Sequence, residues 1–338
     1  MAANGEENVA RARALAESAE EKLAEMDAGG ALKLVMQASE LAGDDPVVLA
    51  VHGEVLLETG DVEAAIEALV ASVAASESEG GHARYMYLGQ LHAGSDALGY
   101  YAEGISQMVH LLEEGVGEEG EDALRREISN GYASMADIFL TDTCEDDNAE
   151  EEAVRLASLA VEADPSNYEA LQTLASIRIS QCMNDEAETL LDASADLWSG
   201  LDEEDAPPPD FQLSAAQLYI ELGSYEKALT VLGSALRADA ISPEAWFLAA
   251  ICDINLEDFP SAAEHLLRAR TLAHGLELND DVFDAELEQR LEQTAAALVQ
   301  AGDSLETYEQ AAEEERAVIQ ATLEAAKELE AQIQQDLE

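Results

Sequence analysis

Alanine returns at an interval of 34 residues in one local pattern: Ala31 and Ala65, Ala153 and Ala187, Ala228 and Ala262. Four residues after each comes an apolar side chain: Val35, Leu69, Ala157, Leu191, Leu232 or Leu266. A small residue recurring at this period marks stacked helix pairs, because a bulky side chain at the contact would hold neighbouring helices apart. The interval therefore predicts an all-α fold built from helix hairpins. It also moves the search for function from a catalytic pocket to a groove.

Other positions of the repeat agree. In the 34-residue tetratricopeptide pattern the first helix carries large residues at 4, 7 and 11 and a small one at 8. The second carries an aromatic at 17, alanines at 20 and 27 and a large residue at 24. The stretch from Ser242 has Trp246, Ala250, Phe259, Ala262, Leu266 and Ala269 at 4, 8, 17, 20, 24 and 27. The unit before it supplies Ala216, Tyr219, Gly223, Tyr225, Ala228, Leu232 and Ala235. Two more regular units carry Leu171, Leu174, Ala175, Ala187 and Leu191, and Leu49, Gly53, Leu56, Gly60, Ala65 and Leu69. Three degenerate units complete a set of about seven. The first has Leu15, Ala19 and Ala31. The third has Tyr85, Leu88 and Gly89 with about three extra residues before Gly104, and the fourth has Tyr132, Ala136 and Phe139.

The expected architecture is a tetratricopeptide-like solenoid with a right-handed superhelix. Residues 1–7 read as disordered and residues 8–277 as the array, with acidic insertions near 143–151 and 199–210. In the second insertion, Pro207-Pro208-Pro209 cannot continue a helix and predicts a stiff extended connection. Residues 278–338 read as a capping helix followed by a long polar terminal helix.

The charge balance restricts partners. Sixteen lysines and arginines face 73 aspartates and glutamates, a net charge of −57. Nucleic acid and anionic membrane surfaces are poor partners for such a chain, since phosphate contact needs cations. A basic protein segment is the natural complement, and the field would steer it in. Acidity can also serve solubility or a high-salt host; the lysine count of four (Lys22, Lys33, Lys227, Lys327) fits the host reading. No run approaches 18 uninterrupted apolar residues, so no membrane span is expected.

No catalytic motif emerges. Gly29-Gly30 and Gly80-Gly81 read as helix breaks, with no preceding strand and no following lysine to cradle phosphate. The six histidines share no metal spacing, and Cys144, Cys182 and Cys252 lie far apart. Cys182 and Cys252 are expected half-buried on helices, as reduced thiols of a cytosolic or nuclear protein. Neither enzyme activity nor a metal or cofactor is expected.

The groove slots follow from helical spacing, because positions 2, 5, 9, 12 and 13 of each first helix share one side. They select Glu54 and Glu58; Met86 and Gln90; Asp137; Glu169, Gln172 and Ser176; Asp210, Leu213, Gln217 and Glu221; and Glu244, Phe247, Ile251 and Asn255. Carboxylates suit lysine and arginine, amides suit a peptide backbone, and Met86 and Phe247 would be apolar shelves. Repeats that grip the acidic tails of general chaperones line these slots with cations. Here the same slots hold Ala50, Glu54, Leu57, Gln172 and Ser176, which argues against a co-chaperone of that kind.

With its stretch DPSNYEALQTLASIRISQ, the acidic proline-rich LDEEDAPPPDFQL and the late AWFLAA, the sequence resembles the fungal family of dedicated assembly chaperones of large-subunit ribosomal protein four. The resemblance spans nearly the whole chain and implies a non-enzymatic escort. A long basic loop of the ribosomal protein would lie along the concave surface until delivery to nuclear pre-ribosomes, so cytoplasm and nucleus are the expected compartments. It also implies an acidic C-terminal tail, whereas the residues up to Glu338 read here as helix. A monomer is expected, with a general acidic scaffold for other proteins as the alternative function.

Overall fold

The computed structural model describes residues 2–77, 79–144, 148–201, 205–278, 280–313, 316 and 321. Among these residues every regular element is an α-helix. The chain divides into two compact units, Met1–Leu174 and Ala175–Glu338, so the boundary falls inside the expected array.

In the first unit, α1 (Ala2–Ala24) pairs with α2 (Ala28–Ala42), and α3 (Pro46–Glu58) with α4 (Val62–Ala75). Next come the pairs α5 (Ala83–Leu91) with α6 (Gly94–Glu114) and α7 (Glu118–Leu140) with α8 (Ala149–Ala163). Then α9 (Tyr168–Ser180) begins. Successive first helices also touch, α1 with α3 and α3 with α5. The spaced alanines make this possible: Ala31, Ala65 and Ala153, with Val35, Leu69 and Ala157 behind them, are all completely buried. A Cβ added at Gly53 would lie 2.5 Å from Leu69 Cγ, so the small residue of one helix makes room for the leucine of the other. In the second unit, α10 (Asn184–Trp198) leads to α11 (Pro209–Glu221) with α12 (Tyr225–Ala238), then α13 (Pro243–Asn255) with α14 (Phe259–Gly275) and α15 (Asp281–Ala301). Ala187, Ala228 and Ala262 are again fully buried.

The hairpin turns share one device. Met26, Gly60, Cys182, Gly223 and Glu257 take positive φ of 62°, 83°, 59°, 75° and 62°. The next N–H reaches back five residues, as from Asp61 to the Leu56 carbonyl (2.9 Å) and from Asp258 to that of Asp253 (2.9 Å). That following residue often caps the second helix: Asp27, Asp61 and Asp258 accept from the N–H groups of Gly30, Ala64 and Ser261. Part of the acidity therefore serves helix starts. Left-handed backbone at the three non-glycine turns costs about 1–2 kcal/mol each.

Several expectations need correction. Residues 2–7 belong to α1 rather than to a disordered start. Gly29 and Gly30 lie in the first turn of α2; a Cβ at Gly30 would sit 2.2 Å from Asp27 Oδ2, so a larger residue there would make the capping carboxylate turn. Cys252 is fully buried and Cys182 exposed, because Cys182 occupies a turn. The third hairpin has lost residues from its first helix and gained them in its second: α5 has 9 residues where α3, α11 and α13 have 13, and α6 runs for 21 where α4 and α12 have 14. Ala97, fully buried in the first turn of α6, takes the small-residue place expected near Gly104. Gly89 then faces Tyr101, whose ring lies 2.8 Å from where a Cβ would stand.

Both irregular connections end in defined starts. Asn167 of the DPSN break is buried; its amide donates to Ser129 Oγ (2.9 Å) and Asn130 Oδ1 (2.7 Å), while its oxygen caps α9. Pro209 takes the first turn of α11, and buried Gln212 donates to the Pro207 carbonyl at 2.8 Å. Residues 145–147 and 202–204 of the two insertions, and most of the expected terminal helix beyond 313, lie outside the described residues.

Candidate functional site

The inner slots of the first unit gather into a wall of carboxylates. Glu54 on α3 is half-buried and accepts from the Tyr87 hydroxyl of α5 at 3.0 Å. Glu58, one turn further, is exposed, as are Gln90 on α5, Asp137 on α7 and Glu169 on α9. Sequence reasoning missed Glu17, Glu20 and Tyr87. Glu20 stands one repeat length before Glu54, so extending the same register into the first unit would have found it.

The electrostatics tie these residues together. Desolvation raises the Glu20 carboxyl, and the charges of Glu54 and Glu17 raise it further. Glu54 is raised by burial and by Glu58, against the lowering effect of the Tyr87 hydrogen bond. The Tyr87 phenol rises through burial and through Glu54, Glu58 and Glu127. Asp137 is pushed up to about 6, first by desolvation and then by Glu169. Glu20 and Asp137 have accessible area yet are desolvated by protein around them, a combination that belongs to a recessed surface. Among the described residues, Glu17, Glu20, Glu54, Glu58, Asp137 and Glu169 have no lysine or arginine within ion-pair distance. Cations of this unit that form ion pairs do so with other carboxylates: Arg13 with Asp45 (2.8 Å) and Glu79, Arg126 with Asp164 (3.4 Å), Arg155 with Glu152 (2.6 Å).

Other expected slots behave differently. Met86 is no shelf; it packs against Ile105, Met108, Leu124 and Ile128. Added Cβ atoms at Gly104 and Gly131 would each lie 2.9 Å from its side chain, so two glycines on neighbouring helices open the space it fills. Gln172 is buried rather than presented, and its Oε1 has no partner among the described residues. In the second unit Ser176 is half-buried and Leu213 buried, while Asp210, Gln217, Glu221 and Glu244 are exposed. Gln217 of α11 donates to Glu244 of α13 at 3.1 Å, which places those two slots side by side. Asn255 is exposed, but its amide is tied to the Ile251 carbonyl at 2.7 Å.

Phe247 and Ile251 correct the expectation most. Phe247 is 7% exposed and meets Phe283 of α15 edge-on at 5.3 Å. Ile251 joins the same cluster, and Leu305, Tyr308 and Ala312 from the helical stretch 305–313 pack on it. The last repeat's apolar slots are thus covered by the helices that follow it.

Little else suggests chemistry. The Cys252 thiol is pushed up to about 12, first by burial, and is unreactive. Among the described residues no group of three or more His, Cys, Asp and Glu side chains is placed to hold a metal, and no helix is long and apolar enough to cross a membrane.

A tetratricopeptide-repeat family model matches residues 209–252, from α11 into α13. The chain is 33% identical over 237 residues to the "Probable assembly chaperone of rpl4" of Schizosaccharomyces pombe, covering 68% of this chain and 69% of the relative. The protein of that name from Emericella nidulans is 33% identical over 260 residues, 71% of this chain and 64% of its own length. The chain therefore spans just under two thirds of the second relative. A solved structure described as "Assembly Chaperone of RpL4 (Acl4)" is similar at 27% identity and a TM-score of 0.66, over 74% of this chain and 98% of that one.

Proposed function

From the premise that this chain belongs to the family of assembly chaperones of rpl4, we propose that it captures a basic, extended segment of that newly made ribosomal protein on the acidic wall of its first helices. It shields the segment, travels with it from cytoplasm to nucleus and releases it at the pre-ribosome. It acts by binding as a monomer, without catalysis and without touching nucleic acid.

The observation that carries this reading is the run of cation-free carboxylates from α1 to α9. Desolvation first, and then mutual repulsion, raises Glu20, Glu54 and Asp137, so a bound cation relieves an existing cost as well as making new contacts. The exposed Asp210, Glu221 and Glu244 extend the same chemistry in the second unit.

Pull-down of rpl4 by the full chain tests the reading. Binding should fall steeply between about 0.1 and 0.5 M salt as the screening length shortens to a few ångströms. The double reversal Glu54→Lys and Glu58→Lys should abolish most of it. Binding indifferent to both salt and reversal would instead favour a general scaffold that takes uncharged segments.

A further inference from the structure

A cleft of about 250 Å³ opens on the acidic wall between α1, α3 and the start of α5. Glu20 and Glu54 line it from different helices, Val47, Ala50, Val51 and Ala83 give it apolar sides, and Tyr87 stands beside Glu54. Its size falls below the roughly 300–1,000 Å³ of pockets for small molecules and cofactors. A single long side chain is a better match.

We propose that this cleft is an arginine subsite, in which one guanidinium of the client bridges Glu20 and Glu54 while its stem lies along Val47, Ala50 and Val51. The proposal rests on the function proposed above and assigns the place where a single residue of the client is read.

Three features favour arginine over lysine. Two carboxylates arriving from separate helices suit a planar cation with five donors, which can engage both; an ammonium is a compact point charge. The Tyr87 ring offers a face on which a guanidinium can stack. The Tyr87 hydroxyl also occupies one oxygen of Glu54, which fixes the carboxylate and leaves its other oxygen for the ligand.

The floor of the cleft is closed by a buried arginine. Arg84 lines it and is only 1% exposed. Its terminal nitrogens donate to the carbonyls of Ser72, Ser76 and Glu77 and to the Ser72 hydroxyl, all neutral oxygens. Its Nε has no partner among the described residues and is shut off from solvent, so Arg84 shapes the floor and offers the client no open donor. The Arg84 charge does not neutralise the mouth, for burial and neighbouring carboxylates raise both glutamates rather than lowering them.

Fluorescence anisotropy with the full chain tests this, using labelled decapeptides of alternating glycine and arginine or glycine and lysine. The unmodified protein should bind the arginine peptide about 5-fold or more tightly than the lysine one. Ala50→Leu narrows the cleft without changing charge, and Glu20→Gln with Glu54→Gln removes the bridge. Each should weaken the arginine peptide about 10-fold, equivalent to about 1.4 kcal/mol, and erase the preference. The control Glu63→Gln with Glu67→Gln, exposed on α4, should change affinity less than about 2-fold, since it removes equal charge outside the cleft. Should Ala50→Leu fail to fold, the glutamine pair decides. Unaltered affinity and preference in the cleft variants would overturn the subsite while peptide binding by the unmodified chain upheld the acidic-wall reading. Failure of the unmodified chain to bind either peptide would overturn both.

Discussion

Asp137 stands in water yet titrates as a partly desolvated acid, pushed up to about 6 by surrounding protein and Glu169. Its pKa in the folded chain exceeds that of a free aspartate, so the folded state binds the proton more tightly than the unfolded one. Stability should therefore rise as pH falls through about 6, and the ionised carboxylate should oppose folding at pH 7. Asp137→Asn is expected to stabilise the chain at pH 7.5 by about 0.5–1 kcal/mol, after allowing for solvent screening, and to flatten this part of the pH profile. Urea melts of both proteins at pH 5 and 7.5 measure it. Residues governed by local sterics were the legible ones: the six spaced alanines and their apolar followers are all completely buried. Met86 was not, since its burial depends on Gly104 and Gly131 from elements distant in sequence. The non-glycine turns at Met26, Cys182 and Glu257 also leave no compositional mark.

At the scale of elements, the most consequential feature is the closure of the last repeat by α15 and residues 305–313. Slot rules treat the inner side of a first helix as open, and Phe247 and Ile251 satisfied the rule by spacing alone. Their actual partners, Phe283, Leu287 and Leu305, come from outside the repeat pattern, so periodicity could not announce the contact. Leu287 is 1% exposed at the centre of this cluster. Leu287→Ala should cost about 2–5 kcal/mol, with hydrogen-exchange protection lost first in α14 and α15. Protection that stayed intact would mean the cap contributes little. The third hairpin makes a related point. The start of α6 at Gly94 was hidden because α5, at 9 residues against 13 in α3, brings Ala97 into the small-residue place ahead of the repeat spacing.

For the whole molecule, 73 acidic side chains against 16 cations leave self-repulsion that packing must overcome. The melting temperature should climb between about 0.01 and 0.3 M salt as the screening length shrinks from about 30 Å to below 8 Å. Scanning calorimetry reads it directly, and an unchanged midpoint would show that the carboxylates are too dispersed to strain the fold. Charge supplied the expectation of a basic partner, while the proposed client came from the resemblance and from the names of relatives. Cys252 is sealed in the core, whereas Cys144 and Cys182 are solvent-facing and belong to different compact units. Maleimide dyes would therefore attach to the native polypeptide at one point in each half. Energy transfer between them gives a ruler for whether the halves shift when the proposed client is added, with no engineered thiol required.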